Sequence, residues 1–180
     1  APITVDLSLA SGQVDKGANG TDSLFNISNI SVVVGGGFGL AGTSGNDTFI
    51  GLDQSGSWTQ FVGDGGDDTC TGGIGTERID YRNAGSGVTV TFSSQGIGST
   101  SVDGFGGVDT FTGIEEVRGS YFADLLTGSG DDERFITLGG NDFVYGGAGY
   151  DVIRYDRAGV STVTVDLGAN TASGIWGGVA

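Results

Sequence analysis

Apolar residues in this chain recur at every second position over short runs. Ile3-Thr4-Val5-Asp6-Leu7, Val88-Thr89-Val90-Thr91-Phe92 and Val163-Thr164-Val165-Asp166-Leu167 all alternate in this way, the period of a half-buried β-strand. Between them lie shorter pieces of the form x-U-x, with U a large apolar residue, separated by Gly-rich stretches. No segment keeps apolar residues at i, i+3 and i+4 over two turns. Gly in a helix interior also costs about 1 kcal/mol each. The pattern therefore predicts short strands joined by tight turns and no helix.

The pattern repeats on two scales. Phe61 to Gly85 matches Phe135 to Gly159 at a constant offset of 74, with Gly65, Gly66, Asp68, Gly72, Gly73, Gly75, Ile79, Tyr81 and Ala84 identical in both. Gly20-Thr21-Asp22-Ser23-Leu24 returns as Gly107-Val108-Asp109-Thr110-Phe111. Repeat copies at about 3–86 and 87–161 are followed by a truncated third at 162–180, so the expectation is one continuous segment cut from a longer array. Within each copy runs a nine-residue unit, G-G-x-G-x-D-x-U-x. Gly146-Gly147-Ala148-Gly149-Tyr150-Asp151-Val152-Ile153-Arg154 fits it throughout, and Gly72-Gly73-Ile74-Gly75-Thr76-Glu77-Arg78-Ile79-Asp80 fits with Glu for Asp.

Composition narrows the chemistry. Gly accounts for 38 of 180 residues, while His and Met are absent and Cys70 is the only cysteine. That removes histidine acid–base catalysis, internal disulfides and most zinc sites. The net charge is −15, which repels nucleic acid and anionic lipid and favours cations. No apolar run is long enough to span a membrane.

The phase-locked nonapeptides resemble the RTX family, the hemolysin-type calcium-binding repeats of secreted bacterial proteins. The long unit, with its V-T-V-D-L strand and Ile114-Glu115-Glu116-Val117-Arg118-Gly119-Ser120, is similar to a form found in very large RTX proteins. The resemblance covers essentially the whole chain. It implies calcium as the metal, an extracellular or bacterial cell-surface location, and export by a channel reading a C-terminal signal. The expected fold is all-β, a parallel β-roll or β-helix solenoid with Gly-Asp turns. Two units form one coil, and Val144, Val152 and Ile153 lie in internal ladders.

The acidic residues then fall into stacked positions. Asp124 and Asp142 are 18 apart, and Asp132 and Asp151 are 19 apart. Each pair is expected to face across one coil step, on opposite edges. Their oxygens, with the turn carbonyls of residues such as Gly130, Gly140 and Gly149, suit the six to eight hard ligands of calcium better than the octahedral shell of magnesium. In the first copy Asp47, Asp68 and Glu77 hold the corresponding places, with a small insertion near 51–57. Trp58 stands where the second copy has Asp132, so the better sites are expected in the second copy. The competing reading is that these acids merely cap Gly turns, which is the role expected for Asp22 and Asp109. Cys70 is expected in the core; Tyr81, Tyr155 and the Arg residues on the outer face or edges.

Other signals are set aside. Gly37-Phe38-Gly39-Leu40-Ala41-Gly42 matches a dinucleotide fingerprint but lacks the helix it requires. The paired carboxylates recur with the repeat, whereas a catalytic site is singular, so no enzyme is expected. The partners expected are calcium ions and neighbouring repeats or other copies of the same protein end to end. The leading reading is a calcium-folded structural segment of a filament, surface layer or adhesin stalk. A calcium-dependent folding and secretion module of an enzyme or toxin, and a metal-free carbohydrate-binding solenoid, remain open beside it.

Overall fold

The structure, a computed structural model, describes residues 4–6, 12–15, 21–24, 40–51, 58–94, 96–156, 160–166, 168 and 171–176. The first copy opens with β1 (Thr4–Asp6), β2 (Gly12–Asp15) and β3 (Thr21–Leu24). It continues with β4 (Leu40–Ala41), β5 (Thr48–Ile50), β6 (Trp58–Val62), β7 (Thr69–Thr71) and β8 (Thr76–Asp80). The second copy supplies β9 (Thr89–Ser94), β10 (Ile97–Val102) and β11 (Thr110–Thr112). Then come β12 (Glu116–Arg118), β13 (Leu125–Thr127), β14 (Arg134–Ile136), β15 (Phe143–Tyr145) and β16 (Val152–Arg154). Last are β17 (Val160–Asp166) and β18 (Thr171–Trp176). The described chain is all-β.

Outside the opening strands of each copy, successive strands alternate between two sheets. One holds ten strands in the order β15-β13-β9-β10-β11-β7-β5-β1-β2-β3, the other six in the order β16-β14-β12-β8-β6-β4. Parallel partners lie 18 residues apart at β13–β15, β12–β14, β14–β16 and β6–β8. The spacing becomes 21 at β5–β7 and β4–β6, where the first copy is longer. The insertion itself, residues 52–57, lies outside the described residues, as does the first half, 37–39, of the dinucleotide-like motif.

The sheets are mixed, which corrects the expectation of parallel pairing throughout. The V-T-V segments are not simple coil strands. β1, β2 and β3 run antiparallel to one another, as do β9, β10 and β11, and β17 pairs antiparallel with β18 in a separate sheet. Six-residue strands such as β9 and β10 can support a hairpin, whereas the three-residue nonapeptide strands need a neighbour from another turn of the chain.

Between the sheets lies one apolar core. Phe49, Cys70, Phe111, Val90 and Leu126 come from the larger sheet, and Leu40, Phe61, Ile79, Val117 and Phe135 from the smaller. Phe92 packs edge-on against both Phe111 and Phe135. Each side chain of this size stabilises the fold by roughly 1.5–3 kcal/mol when fully buried. Cys70 is in the core as the sequence suggests, and burial pushes its thiol well above the ordinary range. Ile153 takes the inward register opposite Phe135, but Val152 sits opposite Arg134 on the other face. Adjacent strand residues point to opposite faces, so these two cannot share an internal ladder.

Candidate metal centre

The residue immediately before a strand occupies a repeated place in the stack. Before β5, β7 and β11 it is Asp47, Asp68 and Asp109; before β13 and β15 it is Asp124 and Asp142. On the other sheet the equivalent column is Glu77, Glu115, Glu133 and Asp151, because Glu77 directly precedes the register of Arg78 with Glu116. Carboxylates therefore precede strands of both sheets.

Most of these carboxylates accept a backbone N–H from the strand above. Asp68 Oδ1 accepts from Asp47 N at 2.8 Å, and Asp109 Oδ1 from Asp68 N at 3.1 Å. Asp124 Oδ1 accepts from Val88 N at 2.9 Å, and Asp142 Oδ1 from Asp124 N at 3.1 Å. On the second edge Glu115 Oε2 accepts from Glu77 N at 2.9 Å, and Asp151 Oδ1 from Glu133 N at 3.1 Å. These bonds tie each turn to the next.

A glycine five residues upstream makes room for the carboxylate. A Cβ on Gly63 would overlap Asp68 Oδ2; on Gly42, Asp47 Oδ2; on Gly119, Asp124 Oδ2; on Gly146, Asp151 Oδ2. The first Gly of the nonapeptide is thus a space for its Asp. The fourth-position Gly149 has φ +106° and would press a Cβ onto the Asp131 carbonyl. Gly140 has φ +102° and lies against the backbone of Phe122, while Gly130 has open space around it.

Asp151 does not pair with Asp132 as the 19-residue spacing suggests. It stacks on Glu133, while Asp132 Oδ1 accepts from the exposed Tyr150 N at 2.7 Å. The uniform 18-residue register decides this, and Gly128, five before Glu133 as Gly146 is before Asp151, is a sequence signal for it. Asp109, read as a turn cap, is a full member of the first column. Tyr81 is buried, contrary to its expected outer position, and donates to Asp109 Oδ2 at 3.0 Å. Tyr155 is half-buried.

The other sequence reading that changes concerns arginine. Arg78 and Arg118 are buried. Arg78 pairs with Glu116, and Arg118 with Asp80 at 2.8 Å. Arg82 also reaches Asp80, and Arg154 reaches Glu116 and Asp156. These cations neutralise acids on the smaller sheet's outer face. That face is thick with charge because one strand's outward residues stack on the next.

The columns carry excess negative charge into the interior. Burial, and then the charges of Asp109, Asp47 and Asp103, lift Asp68 to about 7 against the pull of the Asp47 amide. Burial and the neighbouring Glu115 lift Glu77 to about 7, opposed by the amides of Gly73 and Gly75. Burial raises Asp109 and Asp142 to about 6. It raises Asp124 and Glu133 as well, against donors from Ser120 and Ser129 respectively.

Among the described residues, four buried carboxylate oxygens make no well-formed hydrogen bond: Asp68 Oδ2, Asp103 Oδ2 and both of Glu77. Asp103, missed in the sequence, has its other oxygen held by the amides of Phe105, Gly106 and Gly107 at 2.7–2.9 Å. The orphaned oxygens fall in both copies, Asp68 and Glu77 in the first and Asp103 in the second. As donors they are hard, anionic and buried, which suits calcium. No group of three or more acidic or thiol side chains among the described residues forms a ready metal cage. Further ligands would have to come from turn carbonyls. Among the described residues no helix is long and apolar enough to cross a membrane.

No protein-family model matches the chain, and no curated protein matches it.

Proposed function

We propose that this chain is a calcium-binding structural segment of the RTX kind, a β-solenoid that belongs outside the bacterial cell and folds as it takes up calcium. The observation that carries the reading is the pair of stacked acidic columns containing buried carboxylate oxygens that make no well-formed hydrogen bond among the described residues. Leaving such a group unsatisfied costs about 1–3 kcal/mol, more when it is charged. Asp68 and Asp103 on one edge, and Glu77 with Glu115 on the other, are the residues that would hold the ion first. Asp47, Asp124, Asp132, Asp142, Asp151 and the turns at Gly130, Gly140 and Gly149 would extend the sites along the stack.

Bound calcium supplies positive charge and hard-ligand coordination, which turns binding free energy into folding free energy. Without a cation, the acids repel one another in a chain of net charge −15. They then keep protons or leave the interior. Where calcium is scarce the segment stays loosely folded, and where calcium is plentiful it sets into a rigid, repetitive body. The role that suits such a body is a filament, layer or adhesin stalk whose repeats or copies meet end to end.

One observation favours a second reading. Most column carboxylates already accept a backbone N–H, so the stack has an internal bonding scheme that needs no ion. A calcium titration followed by far-UV circular dichroism separates the two, with a magnesium control and chelator reversal. A β spectrum that develops only with calcium is the expected result. A β spectrum indifferent to chelator at neutral pH would sink the calcium mechanism and leave a metal-free solenoid.

A further inference from the structure

The two sheets differ sharply in charge. In the smaller sheet β8, β12, β14 and β16 each carry an arginine, at Arg78, Arg118, Arg134 and Arg154. In the larger sheet β13, β9, β10, β11, β7 and β5 are consecutive neighbours, and not one of their residues is charged. The chain holds 22 acidic and 7 basic residues, so a charge-free sheet of this width sets its outer face apart from the rest of the surface.

One row of hydroxyls crosses that face without a break. Thr127 opposes Thr91, Thr91 opposes Ser99, Ser99 opposes Thr110, Thr110 opposes Thr69, and Thr69 opposes Thr48. Leu126, Val90, Phe111, Cys70 and Phe49, next to them along the strands, lie in the core, so the row looks outward. Thr69, Thr91 and Thr110 are exposed, and Thr48, Ser99 and Thr127 are half-buried. The Oγ1 atoms of Thr69 and Thr110 lie 3.4 Å apart. Strands stand about 4.8 Å apart, so the row runs for about 24 Å. Thr71 and Thr112, opposite each other, begin a second row about 6.6 Å further along the strands.

Charge and side-chain type narrow the partner. A face without charge, on a chain of net charge −15, offers nothing to an ionic ligand and is matched to a neutral surface. Protein interfaces are enriched in aromatic residues, Met and Arg, and neutral sugars are gripped by exposed aromatic rings. The aromatic residues of these six strands, Phe49, Phe92 and Phe111, are all buried. What the row presents is a hydroxyl at a regular interval, in most places beside a methyl. Each hydroxyl offers one donor and two acceptors, and each methyl restricts the orientation of the water against it. Branching at Cβ stiffens χ1, which holds the interval. Water on this face is therefore arranged in rows before it meets a crystal. We propose that this face binds ice, a neutral and periodic lattice of donors and acceptors that such rows extend. The inference goes beyond the structural role proposed above; it needs a folded chain, whichever cation folds it.

The test freezes ice slowly from a solution of the full 180-residue chain in calcium, its fold checked by circular dichroism, and measures protein in the ice against protein left in the liquid. The chain is expected to enrich in the ice and to slow recrystallisation of fine-grained ice. Thr69→Lys with Thr110→Lys, which puts charge in the middle of the row, is expected to abolish both effects. Ser86→Lys, at an exposed residue outside the strands, is expected to change neither. Should the lysine pair fail to fold, Thr69→Ser with Thr110→Ser removes two methyls and adds no charge, and is expected to lower the enrichment. Exclusion of the folded chain from ice, enrichment that survives either pair of substitutions, or equal loss in Ser86→Lys would overturn the proposal. Exclusion from ice together with retention on an insoluble neutral polysaccharide would overturn it in favour of a sugar-binding face. Failure of the calcium reading looks different, since it appears as a spectrum that calcium does not change.

Discussion

At the scale of single residues, the repeat is a device for placing a carboxylate where a Cβ would otherwise be. Gly63 and Asp68, Gly119 and Asp124, and Gly146 and Asp151 are the same arrangement three times. Gly63→Ala forces the Asp68 carboxylate away from the Asp47 amide, and overpacking of this kind costs about 1–3 kcal/mol. Gly130→Ala meets nothing within 4 Å. It is expected to range from neutral to about 1 kcal/mol stabilising, because it restricts the unfolded chain. Urea denaturation of the two variants under one calcium concentration checks the contrast, and equal losses would mean that the glycines serve flexibility alone. The G-x4-[DE] spacing was legible in the sequence. Its purpose was not, since the clash it avoids exists only when the turn is folded.

At the scale of elements, three-residue strands have little stability of their own and depend on what stacks above and below. On the inward faces this is apolar packing. On the outward face of the smaller sheet it is charge: Asp80 accepts from Arg118 and Arg82, and Arg78 holds Glu116. Removing one partner of a buried pair strands the other, which typically costs 3–5 kcal/mol. Asp80→Ala is expected to lose about that much in equilibrium unfolding, because Arg118 stays buried. A loss under about 1 kcal/mol would show that solvent reaches Arg118 once Asp80 is gone. The inward positions of Ile79 and Phe135 could be read from alternation. The burial of Arg78, Arg118 and Tyr81 could not, because it depends on which residue of a distant segment lies 18, 28 or 38 positions away.

At the scale of the whole molecule, the acids set how stability varies with pH. Asp68 has an ordinary value of 3.8 and a folded value of about 7, and Glu77 moves from 4.5 to about 7. Between those values the folded chain binds more protons than the unfolded one. Stability without calcium therefore falls as pH rises through this interval, with the full loss felt above about 7. Self-repulsion at net charge −15 acts in the same direction. In chelator, the β signal and the melting temperature are expected to increase as pH is lowered from about 7 towards 4. Saturating calcium is expected to flatten or reverse that trend. A melting temperature that climbs with pH in chelator would contradict the buried columns.

Alternation and repetition in the sequence were enough to establish short β-strands, an absence of helical periodicity and the recurrence of acidic residues beside the strands. These are local or periodic properties, and a linear pattern carries them. Tertiary structure alone decided the antiparallel opening strands, the choice of Glu133 over Asp132 as partner of Asp151, and the burial of Tyr81 against Asp109. It also decided that the orphaned oxygens belong to Asp68, Asp103 and Glu77. Each depends on register between strands distant in the chain. A shift of one residue there exchanges inside for outside and replaces one carboxylate's neighbour with another.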